Sequence, residues 1–566
     1  VGKPPSFFAL FVIRKESHLQ ALTIEQFKNH VPKRKKVIMK TMKTPRKLIA
    51  LIMSSVMILT LTAGVPLSVY ATSEETTGVA TGGPSISVPE SGPESTPKIK
   101  PESKPAIKQN LVSANATSTI ALTDVCEING TGYSSLDDAL ADITDNTPTT
   151  IKLLADIVSD GRTITDRNIT FDLDSQFNLT FESASSNINA LTLNGSNVNY
   201  LNRGTGSFQA TSFSGGGNGL AISGGSCALT HAEANSYAYD GLRASDGAVV
   251  TVNGNVKTTG NYAVSAYAAS KSSVTVNGNV ITSGNHTVCV TAQNASTITV
   301  TGNLTATGMG GWGVNVASDA IVTITGDITT ANGPGISAES RADVTLTGNI
   351  TSALGDGVDT YGPGTTVQVN GSIEAAWAGV KAQSGSAITV DGPITTHNGD
   401  GVDARDPGTA VTVTGDIDSQ ANGVYANNGA VVKMTGTITT TESSGIYATD
   451  YDDEGTLVTV VGNVTVNNKD SFPDAVNNYG ATVTVTGNLE TTGKYAWCVN
   501  TDGGGVTTVN GNLTTADASG ITAWDEGTSV VVNGNMNVTY ATYTDGYDGG
   551  LNVYDGAKVL INGLGA

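Results

Sequence analysis

From Val250 to the C-terminus, apolar and polar residues alternate in short bursts that return at a steady interval. Each burst is centred on a glycine, at 254, 278, 302, 326, 348, 371, 392, 415, 436, 462, 487, 511, 534 and 563. Most intervals are 21 to 26 residues, and only the last is longer. The residue two before the glycine is apolar in all fourteen repeats, and the residue four before it in thirteen, Thr507 being the exception. The residue between them is Thr in ten. Apolar–polar–apolar is the period of a strand buried on one face. An aliphatic residue or Met returns two positions after the glycine in thirteen repeats, and a further apolar position follows a small residue some way on, as in Gly335-Ile336-Ser337-Ala338. The pattern predicts three short strands per repeat, aliphatic inward on two sides and often Ala on the third, stacked repeat upon repeat as a solenoid.

Asn-Gly between two strands is also the strongest short hairpin signal. Here every repeat carries the same pattern at the same phase, which favours parallel stacking: Val over Val, Thr over Thr, Asn over Asn. Stacked Asn side chains then hydrogen-bond along the ladder. The sharp turn is expected at Asn-Gly-Asn, in the left-handed backbone angles that Gly and Asn accept. Upstream of the coils, Leu136, Ala139, Leu140 and Ile143 fall at helical spacing within Tyr133–Ile143. Ser134 or Ser135 is placed to cap that helix, and Asp137 and Asp138 suit its N-terminus. Strands are expected at Thr150–Ile157 and Ile169–Leu173.

Composition sharpens this picture. The 566 residues include 67 Gly, with 5% aromatic and 14% charged side chains, too few bulky groups for one thick core. The net charge of −20 hides an asymmetry, because residues 1–71 hold 12 Lys and Arg against two Glu. The remainder has 18 basic and 48 acidic groups. Such a chain is a poor partner for nucleic acid or anionic membranes and a good one for divalent cations. Residues 39–71 read as a secretory signal peptide: a basic start, an apolar run from Leu48 to Leu61, and Val69-Tyr70-Ala71 for cleavage. No membrane span is expected in the mature chain. Residues 1–38 read as a non-native upstream segment, 72–117 as an extended Pro/Ser/Glu-rich linker, 118–160 as an N-terminal cap and first strand, and 161–566 as β-helix coils. The C-terminus falls directly after a coil turn, so the natural protein is expected to be longer.

The SSLDDALADI segment at 134–143, the strand TIKLLADI after it and the repeating VTVNGN coils together resemble the right-handed parallel β-helix superfamily that includes pectate lyases. They are similar, more closely, to repetitive surface proteins of Gram-positive bacteria. The resemblance spans about 120–566. It implies an all-β fold, a right-handed parallel β-helix of three sides with a short N-terminal capping helix. For function it implies a secreted, cell-surface, adhesin-like structural protein with glycans or host surface components as partners, or else a polysaccharide lyase or glycoside hydrolase acting on acidic glycans.

Candidate chemistry is sparse. Cys126, Cys227, Cys289 and Cys498 show no metal-ligand spacing and read as isolated thiols. The five histidines show no Ser/His/Asp logic. Asp502, in Asn500-Thr501-Asp502-Gly503, matches one motif of the polygalacturonases, but the paired Asp-Asp, Gly-His-Gly and Arg-x-Lys signatures of that family are missing. Asp356 and Asp400 recur two repeats apart, about 10 Å on strand spacing, near the separation used by inverting glycosidases. They are the other two candidate acids, read as lacking the charge partner available to their neighbours Asp359 and Asp403, which form a ladder with Lys381. Tyr425 and Tyr447 stack beyond that ladder. With Trp312 and Trp377 they are candidate sugar contacts, although the four tryptophans are read as lying in different columns. Asp450, Asp452, Asp453 and Glu454, on an insertion at 449–457, are candidate Ca²⁺ ligands or a solvated acidic loop. No cofactor is required by this reading.

Overall fold

The computed structural model describes residues 123–468, 473–492, 496–516, 518–539 and 550–563, together with two short strands near the start. Those strands, Phe11–Lys15 and His18–Leu22, pair antiparallel within a unit, Val1–Ala114, separate from Asn115–Ala566. The signal-peptide and linker segments lie outside the described residues.

The repeat region is a parallel β-solenoid. One coil runs through Val249–Val252 on a first sheet, Val256–Thr258 on a second and Val264–Ala268 on a third, then returns to the first sheet at Ser273–Val276. Each strand pairs in parallel with its equivalents one coil before and one coil after. The second and third sheets contain 17 strands each among the described residues. Register is like on like, as in Val250↔Val274, Thr251↔Thr275 and Val252↔Val276.

The axis is aliphatic, and its filling follows the sequence columns. Val252, Val276, Val300 and Ile324 are fully buried on the first sheet and Val256, Val280, Leu304 and Ile328 on the second. The third sheet alternates larger and smaller residues, Ile336 with Ala338 and Val380 with Ala382. Earlier coils take rings: Phe171, Phe181 and Phe208 are fully buried and meet at centroid distances of 5.5 to 6.3 Å. Burial of this apolar surface is the main stabilising term, and it is spread evenly along the axis rather than gathered in one place.

The glycine column is aligned, but for a different reason from the one the turn chemistry predicts. A Cβ built on Gly278 would lie 2.4 Å from the Gly254 carbonyl oxygen, and so on coil by coil to Gly563, 2.1 Å from that of Gly534. From Gly302 to Gly462 the φ angles run from +142° to +159°, a region in practice open only to glycine. The flanking Asn residues do not adopt positive φ. Left-handed residues gather instead at the corner from the third sheet to the first, as at Ser270, Lys271, Asn294 and Ala295. The Asn serve as rungs. Oδ1 of the residue after the glycine accepts the N–H of its successor one coil on, at 2.9 Å for Asn255 to Asn279 and for Asn279 to Asn303. The Asn before the glycine bond side chain to side chain, as in Asn277 to Asn253 at 2.9 Å.

The N-terminal end is covered as predicted, with one addition. The helix is Leu136–Asp142, capped by Ser135, whose hydroxyl accepts the Asp138 N–H at 3.1 Å. Leu136 and Ala139 face the core, and Arg167 Nε donates to the Ile143 carbonyl at 2.8 Å, tying the helix end to the coils. A small antiparallel hairpin, Cys126–Ile128 with Thr131–Tyr133, also pairs onto the first-sheet strand Thr149–Leu153 and closes its free edge. The predicted strand Thr150–Ile157 is in fact two, Thr149–Leu153 and Ile157–Asp160, because the chain turns a corner between sheets there. The solenoid therefore starts at Thr149.

Candidate functional site

The outward face of the third sheet carries the most varied chemistry on the solenoid. Its middle column reads Ser337, Asp359, Lys381, Asp403, Tyr425, Tyr447, Asn477 and Asn500 in successive coils. Lys381 Nζ lies 3.5 Å from Asp359, a half-exposed pair worth under about 1 kcal/mol. Asp403 is 5% exposed and takes a different partner from the expected one: Arg405, two residues on, grips both its oxygens at 2.6 and 2.8 Å. The Arg405 guanidinium also lies over Tyr425, 5.0 Å from the ring centroid, and Tyr425 stacks on Tyr447 at 5.5 Å and 5°. The ladder through Asp359, Lys381 and the tyrosines was legible in the sequence. Arg405 was missed because its strand position two residues past Asp403 signals pairing only once the outward face is fixed.

Asp356 and Asp400 sit at the corner between the second and third sheets, two coils apart with Ala378 between them. Asp356 Oδ1 accepts the Ala378 N–H at 2.9 Å. Asp400 Oδ1 accepts both the N–H and the Nδ2 of Asn422, each at 2.9 Å. The same corner position is held by Asn189, Asn218, Asp240 and Asp474, each bonding the N–H one coil on. These carboxylates therefore have partners: they are rungs of a second amide ladder. Burial raises the pKa of both Asp356 and Asp400, partly offset by those donors. Asp502 is elsewhere, at the third-to-first corner six coils beyond Asp356, accepting the Gly503 N–H at 2.6 Å, and its proximity raises the pKa of Asp525. The structure does not bring the three candidate acids together.

Trp312 and Trp497 share one column, each two residues before a paired valine, Val314 and Val499, contrary to the separate columns read from the sequence. The length variation between coils hid this alignment. Trp312 covers Gly333, where a Cβ would lie 2.4 Å from its ring. Trp377 is 54% exposed on the same edge, its Nε1 donating to the Leu354 carbonyl at 3.1 Å. Trp524 stacks on Tyr554 at 4.1 Å.

In the 449–457 insertion, Asp450 points inward. Its Oδ1 accepts the Glu454 N–H at 3.0 Å, and its Oδ2 accepts those of Gly455 and Thr456 at 2.7 and 2.9 Å. Asp452, Asp453 and Glu454 are exposed. Among the described residues no three His, Cys, Asp or Glu side chains converge as a metal set. Asp450→Ala is expected to cost about 2 kcal/mol, through three lost charge-assisted bonds, and to speed amide exchange over residues 451–457. Thermal unfolding and hydrogen exchange read the two effects.

The four cysteines are buried and unpaired, and burial raises their pKa values. Nine strand pairings separate Val290, beside Cys289, from Val499, beside Cys498. One open hollow of about 210 Å³ lies over Thr192, Ala221, Ser223 and Arg243. No helix among the described residues is long and apolar enough to cross a membrane.

Fold and surface together define the class: a three-sided parallel β-solenoid with a polar and aromatic strip along its third sheet. No family model matches the chain, and neither a curated protein nor a solved structure shows significant similarity to it.

Proposed function

We propose that this chain is a secreted, cell-surface β-helical protein of structural, adhesin-like type, which contacts glycans through its turns and loops. The observation that carries this reading is the distribution of its carboxylates. Asp356, Asp400 and Asp450 each hold backbone N–H groups, and the candidate acids stand coils apart. Retaining or inverting hydrolysis needs two carboxyl groups about 5 to 9.5 Å apart and free to act on one bond, whereas Asp356 and Asp400, two coils or about 10 Å apart, are each engaged by the coil that follows. A regular solenoid with an even core serves instead as a long, rigid support that displays side chains at fixed intervals.

Incubating the protein with bead-bound polysaccharides, with and without Ca²⁺, tests the reading. Retention on beads without release of reducing ends or unsaturated products is expected. Turnover of a polyuronate would overturn it in favour of a lyase or hydrolase of acidic glycans.

A further inference from the structure

The surface between Tyr447 and Asn500 differs from the rest of the solenoid. The third-sheet strand Ile446–Thr449 runs into the insertion at 449–457, and the next strand of that sheet, Val476–Tyr479, is preceded by the insertion at 465–475. The first insertion follows a third-sheet strand, and the described residues 473–475 lead into the next strand of that sheet. Between them the outward column changes height. Tyr425 and Tyr447 form a parallel stack closed at one end by Arg405. The next two members in register are the short amides Asn477 and Asn500. A tall ring followed by amides makes a step. Its wall is the Tyr447 face directed towards Asn477, which no second ring covers among the described residues.

The floor is held from beneath. Asn477 Nδ2 donates to Oδ2 of the buried Asp474 at 2.9 Å, and Asn500 is the next residue of the column, in register with Asn477. Asp474 is itself fixed by the Trp497 N–H at 2.8 Å. With its amino group so used, Asn477 keeps Oδ1 as an acceptor. Tyr451, 63% exposed, packs against Tyr479 at 4.9 Å, forming a rim.

We propose that this step binds one pyranose unit of an uncharged glycan, with its C–H face on Tyr447 and its hydroxyls bonded to the Asn477 and Asn500 amides. A sugar presents weakly positive C–H groups on one face, which suit the negative face of an aromatic ring, and hydroxyls around its rim, which suit oriented amides. An anionic sugar is disfavoured by the excess of acidic groups along the chain. The inference deepens the glycan-contact reading above and rests on it.

Isothermal titration of the full chain tests the step, using hexamers of β-1,4-linked glucose and of β-1,4-linked N-acetylglucosamine, with a galacturonate hexamer as the charged control. Binding of a neutral hexamer is expected, weakened about tenfold or more by Tyr447→Ala and, separately, by Asn477→Ala, with the galacturonate hexamer silent. Urea midpoints of the two variants verify that each is folded. Neutral binding that survives Tyr447→Ala in a folded variant overturns the step and leaves the glycan-contact reading standing. Failure of both neutral hexamers also overturns the step. Failure of these hexamers together with no retention on any polysaccharide bead overturns both.

Discussion

Replacing Gly348 by Ala is expected to destabilise the solenoid by roughly 3–5 kcal/mol. Its φ of +149° excludes ordinary side chains, and a Cβ there would lie 2.2 Å from the Gly326 carbonyl oxygen. That oxygen is backbone in the coil below and cannot turn aside, so relief requires the coils to separate and the rung bonds around them to lengthen. Gly247 is the control. It has φ +77° but nothing within 4 Å of its would-be Cβ. Gly247→Ala therefore carries only the left-handed penalty of about 1–2 kcal/mol. Urea unfolding of both variants reads the difference, and hydrogen exchange shows whether the loss is centred on the coils either side of Gly348. Equal midpoints would mean that close stacking is not what the glycine column provides.

The second large effect concerns Asp474. Its carboxyl is buried, and burial raises its pKa from 3.8 to about 7, although hydrogen bonds from Trp497, Asn477 and Asn500 pull the other way. The folded protein keeps a proton there that the unfolded chain releases near pH 4. The stability contributed is full below pH 4, declines as pH rises to about 7 and is flat above. A shift of this size bounds the loss at about 4 kcal/mol. Asp474→Asn keeps an acceptor for the Trp497 N–H and removes the titration. Relative to wild type, the variant gains stability steadily from pH 4 to 7. Urea midpoints at unit pH intervals measure it, and parallel curves for the two proteins would contradict the account.

The repeat made most of the fold legible. Inward Val and Ile columns, the capping helix and the Asn ladder all follow from periodicity and like-on-like register. Two features did not follow. The Asn-Gly-Asn triplet carries the composition of a left-handed turn, yet the constraint acts between coils, through one carbonyl oxygen against the next glycine, and no single repeat displays it. The hairpin Cys126–Ile128 with Thr131–Tyr133 is too short to show periodicity and is defined by the strand edge it covers. At the surface, the Asp359–Lys381–Tyr425–Tyr447 column was readable because its members share a phase. The partners of Asp356 and Asp400 were not, because a backbone N–H one coil away leaves no mark in composition. Asp474 was not legible for a second reason: the longer segment before it breaks the phase that links it to Asp240, Asp356 and Asp400.

Pulsed dipolar spectroscopy on spin labels along one first-sheet column tests the parallel stack most directly. Gln368, Thr459 and Thr508 belong to that column, with four strand pairings from the first to the second and two more to the third. The native cysteines are buried. At about 4.8 Å per coil, distances near 19 Å for Gln368–Thr459 and 29 Å for Gln368–Thr508 are predicted, before allowance for the label arms. Distances that fail to grow with the number of intervening coils would contradict the stack.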